Sequence, residues 1–100
     1  LANNHILDYG ISGFLETLEI LKKANIKFFG AGKDIFSSKN GIIFDIKGEK
    51  IAILGFSNVY PKNFFIDFLK PGVIPAYLYV MKEAISKAKE ESDLVIVFLH

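Results

Sequence analysis

Residues 12–25 repeat hydrophobic side chains at the spacing of an α-helix. Glutamate and lysine fill the opposite face. The apolar face comprises Phe14, Leu15, Leu18 and Leu21. Ser12 or Asp8 is expected to cap the start of this helix, and Asn25 to end it in a left-handed conformation.

A second amphipathic helix is predicted over residues 75–92, with Pro75 in its first turn. Its apolar stripe comprises Tyr77, Met81, Ala84, Ile85 and Ala88. Lysine, glutamate and serine occupy most of the remaining positions, so one side of this helix is expected to lie against a sheet.

Strand patterns occupy much of the rest of the chain. Residues 26–30, "IKFFG", predict one strand, and the Gly-Ala-Gly run at 30–32 predicts a loop. Residues 40–46 and 49–56 predict a hairpin joined by a Lys-Gly turn. The continuous apolar run "DLVIVFLH" predicts a strand covered on both faces.

The order of these elements indicates an α/β protein with a mixed β-sheet flanked by helices. Residues 57–72 predict a long loop with one short helical turn. Leu1 and Ala2 are interpreted as the tail of a strand, and His100 stands at the end of another. Residues 1–100 are therefore expected to be an internal fragment of a single larger domain.

The composition argues against several classes of protein function. The net charge is +1, and all 12 basic residues are lysine, so no nucleic-acid partner is expected. The absence of cysteine excludes disulfides and thiolate ligands. The apolar runs are shorter than the roughly 20 residues that a membrane helix needs, so no membrane segment is expected.

The two histidines both stand where a predicted strand gives way to a loop. Asn3, Asn4 and His5 follow the first apolar residues, and His100 follows the last strand. Ligands bind at the carboxyl ends of strands in α/β sheets. Amide oxygens and imidazoles ligate metals, and imidazole also transfers protons. Asp8 is placed either to orient His5 or to cap the following helix.

A simpler interpretation stays open at this point. An Asn-Asn-His run at a strand end also occurs in ordinary polar turns. A histidine at the last position of a strand has no function in many proteins.

The segment "ANNHILDYG" resembles the ANNH-x-x-D-x-G motif of the CapA-like family of bacterial capsule and poly-γ-glutamate biosynthesis proteins. "GIIFDIKGEKIAILGFSN" is similar to the strand pair of that family, with its KG-x-KIA-x-LG turn. "PGVIPAYLYVMKEAISKAKEESDLVIVFLH" is similar to the helix and strand that lead into a V-x-x-HWG motif. The resemblance covers essentially the whole chain.

The family is related to the calcineurin-like metallophosphoesterases, which implies a two-sheet sandwich with two metals at strand ends. By this resemblance Asn4 and His100 are metal ligands, and His5 is the acid that protonates the leaving oxygen. Asp8 is implied as a catalytic partner in the motif loop, and Asn3 as a residue that either shapes the loop or supports a metal ligand. The cofactors implied are divalent metal ions, Mn, Mg, Fe or Zn.

Two functions follow from the resemblance. The first is metal-dependent hydrolysis of a phosphoester substrate. The second is a non-hydrolytic component that binds or exports an anionic polymer, placed by the resemblance at the cell envelope. The other metal-binding motifs of the family lie outside these 100 residues, so the chain alone is expected to be inactive.

Overall fold

The computed structural model of the chain describes residues 1–59 and 64–100. Within these residues, the chain forms three helices and five strands. The helices are α1 (Gly10–Lys23), α2 (Ile35–Ser38) and α3 (Leu78–Glu91). The strands are β1 (Ala31–Gly32), β2 (Ile42–Ile46), β3 (Glu49–Phe56), β4 (Gly72–Val73) and β5 (Leu94–Leu99). Their order along the chain is α1-β1-α2-β2-β3-β4-α3-β5.

The main sheet has the strand order β2-β3-β5. β2 and β3 are antiparallel, whereas β3 and β5 are parallel, so the predicted mixed sheet is confirmed. The predicted hairpin turn is also confirmed. Lys47 and Gly48 have φ values of 57° and 90°, the positive pair that a two-residue hairpin turn requires. β1 and β4 form a separate antiparallel pair.

Helix α3 covers one face of the main sheet and forms the larger hydrophobic core with it. Alternate residues of β3 point toward α3, because side chains along a strand alternate between the two faces. This core contains Ala52, Leu54, Phe56, Ile66, Ile74, Val80, Ala84 and Ala88. The crossover through α3 is what makes β5 parallel to β3 and brings the carboxyl ends of both strands to one edge.

A second hydrophobic cluster holds α1 against the small β1-β4 sheet. It contains Leu7, Phe14, Leu18, Ala31 and Val73. Phe14 and Leu18 come from the predicted apolar face of α1, and Leu7 comes from the segment before it. The cluster therefore anchors the polar residues that lie between Ala2 and α1.

The end of α1 was predicted correctly, but its start was not. Asn25 has φ 57°, and the amides of Asn25 and Ile26 bond back to the carbonyls of Lys22 and Leu21, which is a Schellman ending. The helix starts at Gly10 with no side-chain cap. Ser12 is not the cap because it lies inside the helix.

The start of α3 also differs from the prediction. Tyr77, not Pro75, precedes the first helical residue. Pro75 instead forms an isolated parallel bridge with Ser57, which keeps the chain extended before the helix begins. Ala84 and Ala88 of the predicted stripe are buried, as is Val80, while Tyr77 is 41% exposed.

The prediction of a strand at 26–30 is wrong. This segment is extended, but its hydrogen bonds go to two separate parts of the chain and not to one continuous strand. The Leu1 amino group donates to the Phe29 carbonyl at 2.7 Å, and the Ile74 amide donates to the Gly30 carbonyl at 3.0 Å. The loop predicted at 30–32 contains β1 instead. Helix α2 was not predicted, although Asp34 caps it by accepting the Ser37 amide at 2.8 Å.

Strand β5 is confirmed, but it is not covered on both faces within the described residues. Leu94, Phe98 and Leu99 are more than half exposed. β5 is also the edge strand of the main sheet among the described residues. Residues 60–63 of the loop predicted at 57–72 lie outside the described part of the chain. No described helix is long and apolar enough to cross a membrane.

Candidate functional site

The side chains of His100 and Asn4 meet although 96 positions separate them in the sequence. His100 Nε2 lies 2.9 Å from Asn4 Oδ1, which is hydrogen-bond distance. His100 follows β5 directly and extends its pairing with β3. Its amide donates to the Phe56 carbonyl at 3.0 Å, and its carbonyl accepts the Asn58 amide at 2.8 Å. These bonds fix the histidine at the carboxyl edge of the sheet.

The first residues of the chain reach this edge because Gly30 has no side chain and Ala2 can therefore pack against its backbone. A Cβ atom on Gly30 would lie 2.6 Å from the Ala2 Cβ and 3.0 Å from its backbone nitrogen. Any larger residue at position 30 would therefore push Ala2 away. Asn4 is thus held at the edge of the sheet by backbone contacts on the preceding residues.

Asn3 shapes the loop that follows. Its side-chain oxygen accepts the backbone amide of His5 at 2.9 Å, which is an Asx-turn. Its side-chain nitrogen donates to the Leu1 carbonyl at a longer 3.4 Å. Asn3 therefore supports the backbone of the loop, and its side chain does not join the Asn4–His100 pair.

His5 and Asp8 form a second polar pair in the same loop. His5 Nδ1 lies 2.9 Å from Asp8 Oδ2, and the two side chains are 74% and 50% exposed. The Asp8 amide also donates to the His5 carbonyl at 3.1 Å, so the backbone turn itself brings the side chains together. Of the two predicted roles for Asp8, the structure supports orientation of His5, since α1 has no side-chain cap.

The distance between Asn4 Oδ1 and His100 Nε2 can be compared with the spacing of two ligands on one metal ion. Two ligand atoms that each lie 2.0–2.2 Å from one ion, at tetrahedral or octahedral angles, are about 2.9–3.5 Å apart. The observed separation of 2.9 Å fits this range as well as it fits a hydrogen bond. The donor set is partial, because the described residues contain no group of three His, Asp or Glu side chains that could hold an ion.

Two residues that the sequence analysis did not single out also lie at this edge. Ser57 and Asn58 follow β3 directly, and Asn58 bonds the His100 carbonyl. The rule that carboxyl ends of parallel strands meet could have identified them. It requires the knowledge that β3 and β5 are parallel neighbours, which the hydrophobic pattern does not contain.

A cavity of about 430 Å³ lies elsewhere, between α1, residues 25–29 and α2. Its polar lining includes Glu19, Lys22 and Lys33, and Lys33 is paired with Glu19 at 3.1 Å. Asn3, Asn4, His5, Asp8 and His100 are all absent from its walls. This cavity is therefore separate from the candidate site.

Leu1 and Ala2 do not lie in a strand, contrary to the prediction, so of the paired residues only His100 follows one. The geometry defines an α/β domain in which a histidine at the carboxyl edge of the sheet contacts an asparagine from the start of the chain. The family model described as "Bacterial capsule synthesis protein PGA_cap" matches residues 1–100, and the chain belongs to this family. The resemblance read from the ANNH segment is thereby confirmed.

Curated relatives agree with the family assignment. The chain is 39% identical over 100 residues to the PGA biosynthesis protein CapA of Bacillus subtilis, covering 99% of this chain and 26% of the relative. It is 34% identical over 104 residues to the capsule biosynthesis protein CapA of Bacillus anthracis, covering 100% and 25%. A probable polyglutamine synthesis accessory protein of Mycobacterium tuberculosis is 31% identical over 111 residues, covering 100% and 29%. The chain thus spans about a quarter of the length of these relatives.

Proposed function

We propose that the protein acts in bacterial capsule or poly-γ-glutamate biosynthesis, and that this chain supplies part of a metallophosphoesterase-type, metal-dependent hydrolase site. The contact between Asn4 and His100 is the observation that carries the proposal. Membership of the capsule synthesis family supports the biological setting.

Asn4 Oδ1 and His100 Nε2 are the atoms that would hold a divalent ion, of Mn, Mg, Fe or Zn. Both are hard or borderline donors of the kind that these ions accept. Such an ion supplies Lewis-acid chemistry toward a phosphoester. Two ions are expected in the complete site, with the remaining donors from outside the described residues.

His5 is the proposed proton donor. Asp8 accepts a hydrogen bond from Nδ1 when that nitrogen carries its proton, which leaves Nε2 to face solvent. When the imidazole is charged, Nε2–H gives its proton to the leaving-group oxygen, and the neutral ring keeps Nδ1–H on Asp8. The high exposure of the His5 side chain leaves this nitrogen accessible to a substrate.

The test compares three variants of the complete gene product that contains this sequence. Asn4→Ala and His100→Ala are expected to lower bound metal, measured by elemental analysis. His5→Ala is expected to keep its metal but to lower turnover of a generic aryl phosphate by about 10²–10⁴-fold. Equal metal loss in all three variants would contradict the assignment of His5 as the acid.

A second candidate is a non-hydrolytic role in binding or handing over an anionic polymer. The names of the relatives favour it, since they describe biosynthesis and accessory functions. In that case no phosphoester would be cleaved by the unaltered protein, yet His5→Ala would still abolish polymer production in cells. Measurable hydrolysis that disappears with His5→Ala would instead support the first candidate.

A further inference from the structure

Ser57 shares a sheet face with His100. β3 and β5 pair in parallel with Phe56 opposite Leu99, so the next step of the register places Ser57 opposite His100. The bonds from His100 N to Phe56 O and from Asn58 N to His100 O continue the ladder in this register. Residues opposite each other in a ladder point to the same face, whereas Asn58 points to the other.

Ser57 is also unusual in its burial. It is 0% exposed, and it is the one fully buried polar residue among the described residues. A buried hydroxyl costs stability unless it is hydrogen-bonded, so such a residue needs a structural reason. Its backbone is tied on the other side as well, because its amide donates to Ile74 O and its carbonyl accepts the Ala76 amide, both at 2.9 Å.

The Ser57 hydroxyl shapes the turn that contacts His100. Its oxygen lies 3.4 Å from both the amide nitrogen and the carbonyl oxygen of Val59, so the side chain bridges the chain across residues 57–59. Asn58, at the middle of this turn, directs its amide to the His100 carbonyl at 2.8 Å. The same turn therefore connects a buried hydroxyl to the backbone of the histidine.

We propose that Ser57 is a positioning residue for His100. Its hydroxyl holds the 57–59 turn in the shape that directs the Asn58 amide to the His100 carbonyl. This bond keeps His100, the residue that follows β5, in register with β3, so that the imidazole reaches Asn4. The inference rests on the proposed function only in taking the Asn4–His100 pair as the site.

The experiment uses the metal-free complete gene product, labelled with ¹⁵N, and the variant Ser57→Ala. Two signals are measured by NMR: the ring nitrogens of His100, and hydrogen exchange of the Asn58 amide. In the unaltered protein the neutral ring carries its proton on Nε2, where it donates to Asn4. Ser57→Ala is expected to shift the ring toward a mixture of tautomers and to speed Asn58 exchange by about five- to tenfold, the equivalent of one hydrogen bond.

Val59→Ala is the matched control, because it trims a 54% exposed side chain in the same turn but keeps the backbone amide and carbonyl that the Ser57 hydroxyl contacts. It is expected to leave both signals unchanged, and Ser57→Thr, which keeps the hydroxyl, is expected to restore them. Ala52 and Leu54 amides report global stability. Unchanged His100 signals in Ser57→Ala, or equal loss of protection at Ala52, Leu54 and Asn58, would overturn the proposal. Because no metal is present, a failure of the metal-site proposal leaves these results unaffected.

Discussion

The two histidines of this chain each contact one oxygen-bearing side chain at 2.9 Å, but the two contacts arise in different ways. His5 and Asp8 are three residues apart, and a single turn joins them. His100 and Asn4 are 96 residues apart, and they meet only when β5 pairs with β3 and the first residues approach Gly30. The local pair therefore depends on one turn, whereas the distant pair depends on the whole fold.

Because of this difference, the two pairs suit different roles in the proposed site. A proton donor needs one orienting partner and access to the substrate, and a local turn provides both. A metal ligand must converge with donors from other parts of the chain, which only tertiary structure can achieve. Changes to the core should therefore break the Asn4–His100 pair first, and changes to the loop should affect the His5–Asp8 pair alone.

The largest effect is expected from Phe56→Ala. Phe56 is 0% exposed in the main core, and its carbonyl accepts the His100 amide. The cavity left behind should lower the free energy of unfolding by about 3–5 kcal/mol, measured by urea denaturation. The Asn4–His100 contact should weaken with the fold, while the His5–Asp8 contact should persist.

Phe36→Ala is the matched control, since Phe36 is 60% exposed. It contacts Phe68 with ring centroids 5.0 Å apart, so a smaller loss is expected. Equal destabilisation by the two substitutions would contradict the placement of the core between β3 and α3.

Gly30→Ala should have the next largest effect. Gly30 has φ 82°, and its added Cβ would displace Ala2. Gly48→Ala is the control, because Gly48 has φ 90° with no atom within 4 Å of the added Cβ. Both variants should lose about 1 kcal/mol of stability from backbone strain. Only Gly30→Ala should also change the NMR signals of the Asn4 side-chain amide, and a change in both would show that strain alone disturbs the site.

Asp8→Asn tests the local pair. Its effect on stability should stay within about 0.5 kcal/mol, because both partners are exposed. Turnover of an aryl phosphate should fall, since His5 loses its charged partner, and bound metal should stay constant. Asp45→Asn is the control, because Asp45 accepts the Gly48 amide in a turn that the candidate site does not include. A loss of metal in Asp8→Asn would contradict the division between the two pairs.

The smallest effect is expected from Asp34→Asn. Asp34, like Asp8, contacts a residue only three positions away. The Ser37 backbone amide, followed by the Ser37 hydroxyl, lowers the pKa of Asp34 from its ordinary value of 3.8. The carboxylate therefore stabilises the fold at pH values above the unfolded pKa. This contribution is lost as the pH falls through the lower folded pKa. Asp34→Asn should remove that part of the acid dependence of thermal unfolding, and an unchanged acid profile would contradict it.

The elements that hydrophobic periodicity specifies were predicted well. Helices α1 and α3, the β2-β3 hairpin and β5 all follow from local patterns in the residues that form them. The extended segment 26–30 was misassigned as a strand because its hydrogen bonds go to two separate neighbours, Leu1 and Ile74. Helix α2 was missed because four residues are too few to show a helical period.

The candidate site was also predictable only as far as local sequence patterns specify it. The strand-end rule and the ANNH motif singled out Asn4, His5 and His100 as candidates, and the turn accounts for the contact between Asp8 and His5. Ser57 and Asn58 could not be found, because their place beside His100 follows from the parallel register of β3 and β5. The exposure of β5 likewise depends on what packs against the two faces of the sheet, and an apolar run alone does not contain that information.

The central claim is that Asn4 and His100 serve one metal centre, and a double-variant cycle on Mn²⁺ affinity tests it most directly. The complete gene product is compared with Asn4→Ala, His100→Ala and the double variant. Each single variant should weaken binding by about tenfold or more, and the double variant should be little worse than the weaker single one. This corresponds to a coupling of about 0.5–3 kcal/mol between residues that act together. Single variants that bind Mn²⁺ as tightly as the unaltered protein, or losses that simply add, would contradict the shared centre.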